Sequence, residues 1–186
     1  MRRLLVFLAT MLLASCAPGT ATVGGADYDP AYDFSEFYRV ADGHAFHVIV
    51  DGNPFPAIAP AEMRRRLLPV LQASRPRPRL TFTYDEPAEP QRPDYRVALV
   101  FDAANDLTAA RVCAGEIRHR PTAGERVHAF AVYCRNDTAL SQAVATTVAT
   151  SPEDPHLQDM LSLLLLVVFS EQPPIRRPPF PSLFGR

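Results

Sequence analysis

The sequence predicts an α+β fold, a single two-layer sandwich in which a largely antiparallel sheet of about five strands carries helices on one face. Three observations lead there. Short β-rich runs, His44–Val50 (HAFHVIV), Leu80–Tyr84 and Tyr95–Phe101, read as strands. Stretches beginning at Pro60 and at Ser151 carry helical start signals and helical spacing of their apolar residues. The order of these segments is strand, helix, three or four strands, then two helices, which lacks the strict alternation of a parallel α/β fold.

Each element has its own reason. In His44–Val50 the side chains of Phe46, Val48 and Val50 share one face, and Asp51-Gly52-Asn53-Pro54 stops the run as a turn. Pro60 opens a helix with Met63, Leu67, Val70 and Leu71 at i, i+4, i+7 and i+8, and Pro69 is expected to kink or shorten it. Arg75–Arg79 (RPRPR) is extended by composition, and Asp85–Asp94 is a proline-rich loop. Tyr95–Phe101 is the most apolar strand, so it belongs at the sheet centre. Leu140, Ala143, Val144, Thr147 and Val148 fit a helical stripe. Ser151 then reads as the N-cap of the last helix with Pro152 at its first position, and that helix ends in the all-apolar Leu163–Phe169.

The N-terminus sets the compartment. Arg2 and Arg3 precede an almost unbroken apolar run to Leu13, and small residues follow, which is a secretory signal. The run is too short to span a bilayer, which takes roughly twenty residues. Leu13-Ala14-Ser15-Cys16 resembles a bacterial lipobox, which implies cleavage before Cys16 and acylation of its thiol, with membrane attachment through the lipid. Ala17, in place of the aspartate that retains Gram-negative lipoproteins in the inner membrane, points to the outer membrane, facing the periplasm. The expected organisation is a signal peptide at 1–15, a mobile tether at 16–26, one domain at 27–170 and a proline-rich tail at 171–186. The dense aromatics Tyr28, Tyr32, Phe34, Phe37 and Tyr38 are expected to pack on that domain.

Two cysteines remain, Cys113 and Cys134, and in an oxidising compartment they read as a disulfide. Folding the chain about Ala123-Gly124 sets Cys113 opposite Cys134 and His119 opposite His128, as in an antiparallel hairpin that would supply two strands. A Cys2His2 zinc site from these four residues lacks the close cysteine pair that structural zinc sites use. No metal or other cofactor is expected.

Tyr28-Asp29-Pro30 with Asp33-Phe34-Ser35 resembles the start of a group of Gram-negative lipoproteins of unknown function. Asp51–Phe55, Tyr95–Phe101, Cys113-Ala114-Gly115, Ala129–Arg135 and Asp154-Pro155 together resemble a set of bacterial secreted proteins and lipoproteins, also of unknown function. The resemblance implies a shared fold and no activity. All basic residues are arginine, and the net charge of −1 gives no electrostatic case for nucleic acid. No GxSxG or SxxK motif and no glycine-rich phosphate loop occurs, so no catalytic residues are assigned.

Two features are candidate contact sites. One is the basic set Arg64, Arg65, Arg66, Arg75, Arg77 and Arg79, suited to anionic polymers or lipid headgroups. The other is the tail, whose Phe180, Leu183 and Phe184 on a polyproline-prone backbone suit a partner's groove. The expectation is a lipid-anchored, non-catalytic accessory or assembly factor that binds an envelope protein or polymer. The alternatives are a periplasmic small-molecule or metal-binding module and a purely structural lipoprotein. The sequence does not reach the oligomeric state.

Overall fold

The computed structural model describes residues 20–87, 94–121, 124 and 126–174. The elements in chain order are β1 (Thr22–Tyr28), α1 (Phe34–Ala41), β2 (Ala45–Asp51), α2 (Pro60–Ala73), β3 (Thr81–Thr83), β4 (Tyr95–Phe101), α3 (Ala109–Cys113), β5 (Arg126–Arg135), β6 (Thr138–Val148) and α4 (Pro155–Val168). They build the expected α+β sandwich around one six-stranded sheet, with strand order β1-β6-β5-β4-β2-β3. Pairing is antiparallel from β1 through β4, while β4, β2 and β3 run parallel. The parallel step needs a crossover, and α2 supplies it between β2 and β3.

The main core lies between the sheet and α1, α2 and α4. Phe37, Met63, Leu67, Leu71, Leu157, Leu161 and Leu164 meet Val97, Leu99, Phe101, Ala131, Ala143 and Ala145 there. Each leucine so buried contributes roughly 2 kcal/mol of transfer free energy. A smaller core on the opposite face joins Leu107, Val112 and Cys113 to Ala98, Val100, Phe130, Val132 and Cys134. β4 is buried on both faces, as its unbroken apolar run requires.

Several sequence expectations are corrected. β1 occupies residues assigned to the tether, and β6 is a strand where a helical stripe was read. The stripe misleads because Ala143, Ala145 and Thr147 alternate inward among small residues, where a period of two is faint. α2 runs through Pro69 to Ala73, since Pro69 and Arg65 are both exposed and the carbonyl that loses its bond is left to water. The last helix starts three residues later than read: Asp154 is its N-cap and accepts from the His156 amide at 3.0 Å, with Pro155 in the first turn. Its final carbonyls have no helical donors. Two of them accept instead from the Tyr28 hydroxyl onto Val167 (2.5 Å) and Ser141 onto Val168 (2.5 Å), and just past the helix the Tyr32 hydroxyl donates to Ser170 (2.8 Å). Tyr28, Tyr32, Phe34 and Phe37 therefore pack on the domain, partly through α1, a short helix the sequence reading did not resolve, while Tyr38 on that helix is exposed.

Tyr133 sits at the centre of the main core, fully buried, among the rings of Tyr32, Phe37, Phe46, Tyr95 and Phe169. Burial pushes its phenol far above the ordinary value, and its hydroxyl has no hydrogen-bond partner among the described residues. Tyr133→Phe keeps the ring contacts and removes that hydroxyl. Its unfolding free energy is expected to be unchanged or higher by up to about 1 kcal/mol. A loss above about 1 kcal/mol in urea unfolding would mean the hydroxyl is satisfied in solution.

Candidate functional site

The strand registers give the domain two distinct ends. At one end lie the start of β1 and the finish of β6, since Thr22 pairs with Thr146. The finish of β4 and the start of β5 lie there too, since Phe101 pairs with Ala129. At the other end lie Tyr28 against Ser141, Tyr95 against Arg135, and the β2–β3 start at Ala45 and Thr81. The hydroxyls of Tyr28 and Ser141 bring the C-terminus of α4 to this second end. About 20 Å of strand separates the two.

The six arginines of the basic set do not act as one surface. Arg66 donates to both carboxylate oxygens of Glu153 at 2.5 Å, and that bond holds the Glu153 carboxyl below its usual range. Arg65 pairs with Glu62 one turn away. Arg64 lies 4.8 Å over the Tyr84 ring and accepts the Tyr84 hydroxyl on its carbonyl at 2.8 Å. Burial pushes that phenol up to about 12. These three arginines are committed to local contacts.

Arg75, Arg77 and Arg79 differ. They line one hollow together, and none takes part in an ion pair among the described residues. Gln72 shapes the segment by accepting from the Phe82 amide and donating to the Leu80 carbonyl, both at 2.8 Å. Arg77 also borders a hollow with Leu166, Phe169 and Glu171. Leu166 is 60% exposed and Leu163 44%, so the apolar end of α4 is buried on one side and open on the other. Three arginines and the exposed Leu166 thus collect at the second end, where residues 170–174 leave α4. Phe180, Leu183 and Phe184 lie outside the described residues, as does Cys16.

The second site is on the sheet face opposite the main helices. Residues 102–121, including α3, cover part of that face and leave the rest of β5 and β6 as the floor of a cleft of about 480 Å3. Ala103, Asn105, Leu107, Thr108 and Arg120 form one wall, and His128, Phe130, Gln142, Val144 and Thr146 form the floor. Burial and the charges of Arg120 and Arg126 hold the His128 imidazole below its ordinary value, so it is neutral at pH 7. Val144 is 44% exposed at the mouth.

The expected disulfide is present and pins the covering segment: Cys113 to Cys134, with Cα atoms 5.6 Å apart. Its setting is not the expected hairpin, because Cys113 ends α3, and β5 pairs with β4 and β6. Arg96 reinforces the junction by donating to the Cys113 carbonyl at 2.6 Å. His119 does not meet His128. It bridges the Phe101 carbonyl (2.9 Å) and the Asp51 carboxylate (2.7 Å). No group of three or more His, Cys, Asp or Glu is placed to hold a metal ion among the described residues. No helix among them is long and apolar enough to cross a membrane.

The sequence reading did not single out Arg120 or Val144. The signal for Val144 was the alternation Gln142, Val144, Thr146 against Ala143, Ala145, Thr147, which sets a second, half-open face beside a buried one.

No protein-family model matches the chain, and no curated protein does. Among solved structures, the PelC dodecamer from Paraburkholderia phytofirmans in space group P6 is 14% identical, with a TM-score of 0.39 over 82% of this chain and 99% of its own. A point variant of that dodecamer in space group C2 is also 14% identical, with a TM-score of 0.37 over 82% of this chain and 96% of its own.

Proposed function

We propose that the chain is an outer-membrane lipoprotein of a Gram-negative envelope, acylated at Cys16 and facing the periplasm. Its role is that of a non-catalytic accessory or assembly factor that binds an acidic protein partner or an anionic envelope polymer. The supporting observation is the polarity of the domain. The chain from the anchor joins the fold at Thr22, and Arg75, Arg77, Arg79 and Leu166 lie at the opposite end. A domain tethered at one end presents the arginines that form no ion pair, and an exposed leucine, away from its own membrane. The proline-rich tail leaves from the same end.

The test is chemical cross-linking in intact cells with the full chain, the triple variant R75Q/R77Q/R79Q and a version ending at Glu171. Cys16→Ser serves as the anchoring control and should leave the membrane fraction. A discrete cross-linked partner whose yield falls at least fivefold in the triple variant is expected. Loss of the partner in the truncation would assign the tail a share of the contact. No discrete partner with any version, or a reproducible hydrolytic or transfer activity of the purified protein, would overturn the reading. The cleft on the open sheet face favours a second reading, a small-molecule-binding module.

A further inference from the structure

We propose that the cleft between β5, β6 and the disulfide-pinned segment binds a single-chain amphiphile with an anionic head, the head on Arg120 and the chain along Phe130 and Val144. This is a separate site from the arginine end, and it depends neither on the partner nor on the lipid anchor.

The chemistry of the lining selects this class. A cleft of about 480 Å3 lies within the range of small-ligand sites. Phe130, Val144 and Leu107 give it an apolar interior, and water held against such surface is released when an apolar chain replaces it. Arg120 is the cationic side chain of the lining, and among the described residues no carboxylate lines the cleft itself; Asp102, whose carbonyl accepts from the Arg120 amide at 2.8 Å, is buried behind the wall. Its Nη1 donates to the Asn105 side-chain oxygen at 3.2 Å, which ties the guanidinium to another residue of the cleft wall. A neutral polar ligand would leave the cation without a counter-charge inside the cleft, and a hydrophilic anion would leave the apolar floor wet. A molecule with both parts satisfies both. The wall is also preformed, because the Cys113–Cys134 bond holds it on the sheet, so binding does not have to order it.

The probes are octanoate and its uncharged counterpart 1-octanol, titrated into isotopically labelled full chain in a nonionic detergent. The readout is the amide shifts of His128, Val144 and Thr146. Octanoate is expected to give saturable shifts at these amides with an affinity at least fivefold tighter than octanol, and Arg120→Gln should abolish that preference. Val144→Glu, which places a carboxylate at the exposed mouth without touching the core, should weaken octanoate at least fivefold and serves if Arg120→Gln does not fold. Arg66→Gln, remote from the cleft, should bind as the parent does. Equal binding of the two probes, shifts confined to residues outside the cleft, or an octanoate preference that survives both cleft variants would overturn the proposal. None of these outcomes bears on the cross-linking result.

Discussion

Gly52→Ala is expected to destabilise the domain by on the order of 3 kcal/mol, from left-handed strain and steric overlap together. Gly52 has φ +86°, in the region L side chains avoid. A Cβ there would stand 2.6 Å from the Phe101 carbonyl oxygen, 3.1 Å from His119 Cε1 and 3.2 Å from Phe101 Cβ. The first of these neighbours is backbone of the central strand β4 and cannot yield. Relief has to come from β2 pulling away, which would part the Asp51 carboxylate from His119. Gly43→Ala separates the two causes: it has φ +78° with nothing within 4 Å of the new Cβ, so it should lose only about 1 kcal/mol. Urea unfolding of both variants is the measurement. A Gly52→Ala loss no greater than that of Gly43→Ala would show that the close approach to Phe101 relaxes freely.

Replacing both Cys113 and Cys134 by alanine is expected to cost about 3 kcal/mol, the chain-entropy value for a loop of this size. The bond closes a sequence separation of 21 residues. Both cysteines are also buried in the smaller core with Val100, Val112 and Val132, so the alanines leave unfilled volume and the loss has a packing component as well. The effect should be uneven across the molecule. Amide hydrogen exchange is expected to quicken in residues 103–120, which lose their covalent attachment to β5, more than in β4, which keeps β2 and β5 on either side. A stability loss below about 1 kcal/mol, or exchange that quickens equally in β4, would contradict this account.

The two cores explain which parts of the fold were legible. Where burial is strong and side chains are large, period and position agree: Phe46, Val48 and Val50 in β2, Met63 and Leu67 in α2, and the whole of β4 read correctly. β6 failed because its inward residues Ala143 and Ala145 are small so that α4 can lie close, and small residues carry almost no periodic signal. β1 failed for a related reason. It is an edge strand, rich in glycine, with an irregular register between Gly24 and Asp27, and half-exposed edge residues look like linker. The pairing of Cys113 with Cys134 was legible from the cysteine count and the expected oxidising compartment. Its geometry was not, because a symmetric spacing about Ala123-Gly124 also fits a helix-bearing segment folded over the sheet face. The cleft was invisible for the same reason: Arg120 and His128 come together only through that overlap. The arginine set was legible as a composition, but its division into committed and uncommitted halves depends on Glu62, Tyr84 and Glu153, the last of which lies far along the chain.

The antiparallel seam between β1 and β6 has a mechanical consequence. Thr22 is paired to Thr146 at the first residue of β1, and the ladder runs on to Tyr28 against Ser141. A pull on the N-terminus along the strand axis, opposed by a load at the arginine end, would act parallel to the strands. It would strain the inter-strand hydrogen bonds of that seam together rather than one after another, the arrangement of a shear joint rather than a zip. A domain strung between a fixed point and a load in this way resists extraction at the strand where the force enters, and the hydroxyls of Tyr28 on Val167 and Tyr32 on Ser170, at and just past the end of α4, spread that force into the main core.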